Sequence, residues 1–198
     1  VYDAKNLAFI LPAGKYIGNS RYKDVFAASA MADLTSFRNH WGAETSLDVE
    51  LYRPVARYEL VAKDVATFLN KLSTGGLKGE SFTARVKYSD YLPTGYNLWD
   101  DVPKNSLMYM EYKVAFERPA DGTKELKLGF DYVLTDAGET VSIPVELEIL
   151  NEKNEVLART AFRIPCERGK NTTVRGNFLT SDANGGIGID PDYDGDLE

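Results

Sequence analysis

ELKLGFDYVL, residues 125–134, alternates apolar and polar side chains for most of its length. A strand sends successive side chains to opposite faces. Leu126, Leu128, Phe130, Tyr132 and Leu134 are therefore expected on one buried face, with Phe130 in the core. A helical turn would scatter the same five residues around its axis. The next runs repeat the pattern. TVSIPVELEIL at 140–150 aligns Val141, Ile143, Val145, Leu147 and Ile149. EVLARTAFRI at 155–164 aligns Val156, Ala158, Thr160, Phe162 and Ile164. LMYMEYKVAFE at 107–117 is apolar on both faces at its start, as a central strand would be.

Turn residues separate these runs: ADGT at 120–123, DAGE at 136–139 and NEKNE at 151–155. The expectation is a four-stranded meander over 107–165, with TTVRGNFLT at 172–180 as a further strand. Pro144 inside its run predicts an edge or a bulge. Upstream, LAFIL (7–11), SLDVELY (46–52), VARYELVAK (55–63) and FTARVKY (82–88) read as strands. Asp64 as N-cap, with Val65, Phe68, Leu69 and Leu72 at helical spacing, predicts a short helix over 64–72. KDVFAASAMA at 23–32 is the candidate for a second short helix or a turn. The Pro/Gly/Asn/Asp-rich stretch at 90–106 reads as a domain boundary. The expected fold is all-β: two β-sandwich domains in series, 1–100 and 101–198, with one or two short helices in the first.

The first domain offers about four strands where a closed sandwich needs roughly seven. The deficit predicts an open groove beside Val49, Leu51, Tyr58 and Leu60, filled by a donated strand. The donor would be an upstream segment removed before Val1, or an extension of another subunit, for which 176–189 is the candidate.

Composition narrows the chemistry. Net charge is -7, and residues 182–198 supply Asp182, Asp190, Asp192, Asp194, Asp196 and Glu198 with no Lys or Arg. The rest is nearly neutral, which argues against nucleic acid as a partner. Cys166 is the single cysteine, so no disulfide forms within the chain, and His40 is the single histidine. Cys166 ends an apolar run and reads as a small buried hydrophobe. No GxSxG, HExxH, Walker A or GxGxxG pattern occurs. No segment has the length of a membrane-spanning helix. The expectation is a protein without enzymatic activity or cofactor.

Two ligand readings remain. DPDYDGDLE at 190–198 places Asp190, Asp192, Asp194 and Asp196 at alternating positions around Gly195, the opening of a calcium loop. The closing Glu of such a loop is missing and Pro191 stiffens it, so a solvated acidic tail is the favoured alternative. Tyr91, Tyr96 and Trp99 cluster in the 90–106 stretch and could stack a sugar. That makes a glycan-binding surface module the alternative function.

Several pieces occur in a telling order: RYKDVFAAS (21–29), LYRPVARYELVAKDV (51–65), YLPTGYNLWDDVP (91–103), IPCERGKNTTVRGNFLT (164–180), and the Asp-rich end. This order resembles the fimbrillin-like surface proteins of Bacteroidota, subunits of type V pili. The resemblance covers essentially the whole chain. It implies transthyretin-like sandwiches, export as a lipoprotein and an outer-membrane or fimbrial location. It also implies partners that are other pilus subunits, joined by strand exchange, with no catalysis.

Overall fold

A computed structural model describes residues 2–3, 8–10, 16–40, 42–75, 77, 79–181 and 190–196. For 2–3, 8–10, 36 and 190–196 the backbone alone is described. The strands are β1 (Tyr2–Asp3), β2 (Ala8–Ile10), β3 (Val55–Ala62), β4 (Ser81–Tyr88), β5 (Leu92–Asn97), β6 (Val102–Leu107), β7 (Glu111–Glu117), β8 (Leu126–Leu134), β9 (Val141–Asn151), β10 (Val156–Cys166), β11 (Lys170–Gly176) and β12 (Asp190–Asp196). One α-helix, α1 (Val65–Ser73), follows β3. The described fold is mostly β, as expected.

The strands form three sheets of four, ordered β10-β9-β4-β7, β12-β11-β3-β8 and β1-β2-β5-β6. The first two bury a common core that includes Tyr58 and Leu60 of β3, Phe82, Ala84 and Val86 of β4, Leu147 and Ile149 of β9, Phe162 and Ile164 of β10, and Val174 of β11. Helix α1 closes this core with Val65, Phe68 and Leu69, and Phe68 meets Phe82 edge to face at 5.0 Å. The apolar face of α1 is the expected one.

The division at residue 100 does not hold. β3 and β4 lie before it, yet β3 pairs with β8 and β11, and β4 pairs with β7 and β9. Both main sheets therefore draw strands from both halves. The stretch at 90–106 is instead the β5–β6 hairpin. This hairpin continues the β4–β7 pair, because the Tyr88 amide still donates to the Met110 carbonyl beyond that ladder. A Pro/Gly-rich composition marks a bend in a two-stranded ribbon here, not a linker.

The expected meander also dissolves. Only β9 and β10 pair as a sequential hairpin within 107–165, while β7 and β8 join different sheets. β7 is an edge strand, and the apolar residues Met108, Tyr109 and Met110 form the ribbon's bend. Residues 46–51 form no strand, and no α-helix forms over 23–32; a 3-10 turn covers Arg21–Lys23. Pro144 lies in the central strand β9. Its carbonyl accepts from the Ser89 amide, just past the last β4–β9 pair, Tyr88–Val145. In an antiparallel strand the N and O of one residue face the same side, so the missing donor of Pro144 removes only the return bond at the very end of the β4–β9 ladder.

The deciding stretch departs from its pattern at Gly129. The β3–β8 register shifts between Leu60 and Val61, opposite Gly129, whose φ is +148°. Leu128 faces the main core; beyond the bulge, Asp131 and Val133 face inward as well. Phe130, Tyr132 and Leu134 turn to the other side. There they join a small cluster with Val55, Tyr96, Val25 and Leu98 beneath the β5–β6 hairpin. One extra residue thus puts a carboxylate where the alternation expects a Phe.

Candidate functional site

The four groove candidates separate into two pairs. Tyr58 and Leu60 are fully buried on β3, which has partners on both sides. No groove exists there: the strands missing from the first half are supplied by the second. Val49 and Leu51 lie on the irregular segment and are 47% and 63% exposed. Leu47 beside them is 52% exposed. These three keep strand-like spacing without a sheet. Phe26, Met31 and Leu34 are also exposed, on a segment tied to the body by the Ala27–Tyr52 bridge and an Arg53–Asp24 ion pair of 2.8 Å. Of the other donor candidate, 176–189, residues 182–189 lie outside the described residues.

The aromatic candidates are not brought together. Tyr91 precedes β5 and Trp99 follows it, and they are 62% and 75% exposed. A strand between them separates them by roughly 20 Å at ~3.3 Å per residue. Tyr96 is buried in the small cluster, and its hydroxyl donates to Asp101 at 2.5 Å. Asp101 also receives the Tyr52 hydroxyl and a two-pronged contact from Arg168, at 2.8 and 2.9 Å. Arg168 lies over the Tyr52 ring at 4.1 Å. The hydrogen bonds from Arg168 hold the Asp101 carboxyl at about 2, against the cost of its desolvation. This clamp fastens the hairpin tip to the body, so Tyr96 is structural.

The acidic end runs as strand β12 antiparallel to β11. A calcium loop needs a backbone curled round the ion; residues 190–196 are extended instead. The side chains of Asp190, Asp192, Asp194 and Asp196 lie outside the described residues. Cys166 is buried, and desolvation pushes its thiol up to about 12.

Three polar clusters escaped the sequence reading. On the outer face of the β10-β9-β4-β7 sheet, Glu148 is buried beneath Arg85, Lys87 and Arg159. Burial alone would raise its carboxyl; hydrogen bonds from those three cations outweigh it and hold the group at about 2. On the outer face of β3 and β8, Arg21, Arg53, Arg57 and Lys127 meet Asp24 and Glu59 over Phe130 and Tyr132.

The third cluster lies inside the main core. Lys23 and Asp131 are both buried and their Nζ and Oδ1 are 2.5 Å apart. Lys23 Nζ also donates to the Tyr16 hydroxyl at 2.6 Å, and Tyr16 donates to Asp131 Oδ2. Tyr88 donates to the same oxygen at 2.6 Å and exchanges a 2.6 Å hydrogen bond with Tyr58, which reaches Tyr112 at 3.1 Å. Burial, then the neighbouring Asp131, raises the Tyr16 and Tyr88 hydroxyls well above their usual value. Burial lowers Lys23, with Asp131 opposing. The sequence signal was available: an Asp two residues after a Gly inside an apolar run marks a bulge that re-aims a side chain.

The fold is thus a mostly β protein with one α-helix among its described residues. All of the chain, residues 1–198, matches a family described as a family of unknown function, DUF6562, and the chain belongs to that family. No curated protein matches it. Among solved structures, it is similar to a proposed cell adhesion protein from Bacteroides ovatus, at 13% identity and a TM-score of 0.40, over 73% of this chain and 45% of that one. It is also similar to a proposed cell adhesion protein from Bacteroides eggerthii, at 14% identity and a TM-score of 0.32, over 72% of this chain and 52% of that one. The chain spans about half the length of these structures.

Proposed function

We propose that this chain is a structural or adhesion subunit of a bacterial surface fimbria, exported as a lipoprotein, and that it acts by binding and not by catalysis. The observation that supports this is the segment 46–51. Leu47, Val49 and Leu51 alternate as in a half-buried strand, yet all three are exposed and, among the described residues, no sheet pairs with the segment. An exposed apolar run of this spacing gains both backbone hydrogen bonds and buried area when it pairs with the sheet edge of another subunit. The segment is then a donor, and no acceptor groove is needed in this chain. The resemblance to fimbrillin-like proteins points the same way. The alternative glycan reading loses its platform, because Tyr91 and Trp99 stand at opposite ends of β5.

Val49→Pro tests the reading. Proline removes a ladder donor at a position that lies in none of the described sheets. The variant keeps the parent's melting temperature but fails to incorporate into surface assemblies when expressed in place of the parent. Undiminished incorporation of Val49→Pro and of Leu47→Pro would refute the donor role.

A further inference from the structure

We infer that Lys23 and Asp131 condense into an intramolecular amide that joins Lys23 Nζ to Asp131 Cγ and cross-links the Arg21–Lys23 turn to β8. The arrangement carries the reaction as well as the pair. Lys23 Nζ lies 2.5 Å from Asp131 Oδ1, and both side chains are nine-tenths or more buried. Burial of separated charges is costly, and one proton transfer within the pair gives neutral amine and neutral acid. The path for that proton is built: Lys23 Nζ donates to the Tyr16 hydroxyl, and Tyr16 donates to Asp131 Oδ2. The neutral nitrogen then attacks Cγ, and the carbonyl electron pair moves to Oδ1. The Tyr132 amide donates to Oδ1 at 2.9 Å and stabilises the charge that develops there. Collapse restores the carbonyl at Oδ1 and breaks the bond from Cγ to Oδ2. Oδ2 already holds one proton, receives the second from the nitrogen by the Tyr16 route, and leaves as water. Tyr88 donates to the departing oxygen as well, at 2.6 Å.

The balance closes without a cofactor: one ammonium and one carboxylate give one secondary amide and one water. No oxidant or reductant takes part. Fixed apposition replaces the encounter of two free groups, and the product removes a pair of charges from the core. Close approach of the turn is itself built in. Gly18 packs so near Tyr112 that an added Cβ would stand 2.3 Å from its ring. The inference does not depend on the assembly reading, since it concerns the core of a single chain.

Intact mass spectrometry of the folded full chain tests it. The expected mass is one water below that of the sequence. Asp121-Gly122 and Asp194-Gly195 can also lose water by cyclising on the backbone, so peptide mapping decides. The amide yields a branched peptide joining Lys23 to Asp131, and trypsin does not cut after Lys23 in the denatured protein. Lys23→Met and Asp131→Ala regain the full mass. Tyr16→Phe keeps the pair but breaks the relay, so it remains folded by circular dichroism and uncross-linked. Folded wild type at its full sequence mass after prolonged incubation at neutral pH, with trypsin cutting after Lys23, overturns the inference. So does a water loss mapped wholly to an Asp-Gly site.

Discussion

Asp131 is the residue on which the interior turns. It occupies a core position because β8 carries one extra residue at the bulge, where Leu128 is skipped in the register and Gly129 takes φ +148°. A Cβ at Gly129 would meet Val114 Cγ2 at 3.0 Å and Tyr112 Cε2 at 3.2 Å. Gly129→Ala therefore combines an unfavourable backbone with crowding, and is expected to cost about 1–3 kcal/mol in denaturant melts. The face switch makes a sharper test. Val133→Asp places a charge in the main core and should destabilise far more than Phe130→Asp, because Phe130 is only partly buried against the small cluster. The opposite order would contradict the bulge. The alternation of ELKLGFDYVL was legible, and the Gly129–Asp131 spacing carried the bulge signal, but a period read from residue types alone passes over it because it assumes an unbroken ladder.

Acid stability also belongs to single residues. Glu148 and Asp101 are held at about 2, below their unfolded values. A depressed carboxyl contributes stability that is present above its unfolded pKa and is lost as pH falls through the folded one. The melting temperature should therefore drop from about pH 4.5 toward pH 2, where the two carboxyls take up protons. Glu148→Gln should flatten part of that drop. An acid profile unchanged in this variant would show that the cluster contributes nothing to stability.

At the scale of elements, α1 was legible from its spacing, but the role of Asp64 was not. Its carboxylate makes no bond to its own helix. It accepts instead from the amides of Leu179 and Thr180 and from the Thr180 hydroxyl, at 3.1, 2.8 and 2.7 Å. It thus pins the turn that carries Phe178 and Leu179 into the core. Asp64→Ala leaves the buried Leu179 amide and the half-buried Thr180 amide without that acceptor and is expected to cost about 1–3 kcal/mol. Amide exchange at 178–180 should accelerate while α1 itself stays protected. Equal acceleration in both would return Asp64 to a helix cap. The segment 46–52 shows the converse limit: its alternation was legible, while its lack of a partner strand was not, since pairing is a property of the neighbours.

At the scale of the whole molecule, the strands of the main core were legible, the β5–β6 hairpin and β12 were not, and neither were the strand partners. Nothing in VARYELVAK or FTARVKY says that their partners lie past residue 110; the long-range pairs are set by how two apolar faces cover each other. β3 inserts between β8 and β11, and β4 between β7 and β9. Each half thus contributes strands that the other half must flank, and neither can bury its own apolar face alone. Unfolding should be a single cooperative transition. The most direct measurement is circular dichroism and thermal melting of separately expressed fragments 1–106 and 107–198, alone and mixed. Interleaving predicts that each fragment alone is unfolded and that a cooperative melt returns only on mixing. A cooperative melt from either fragment by itself would contradict it and restore two domains in series.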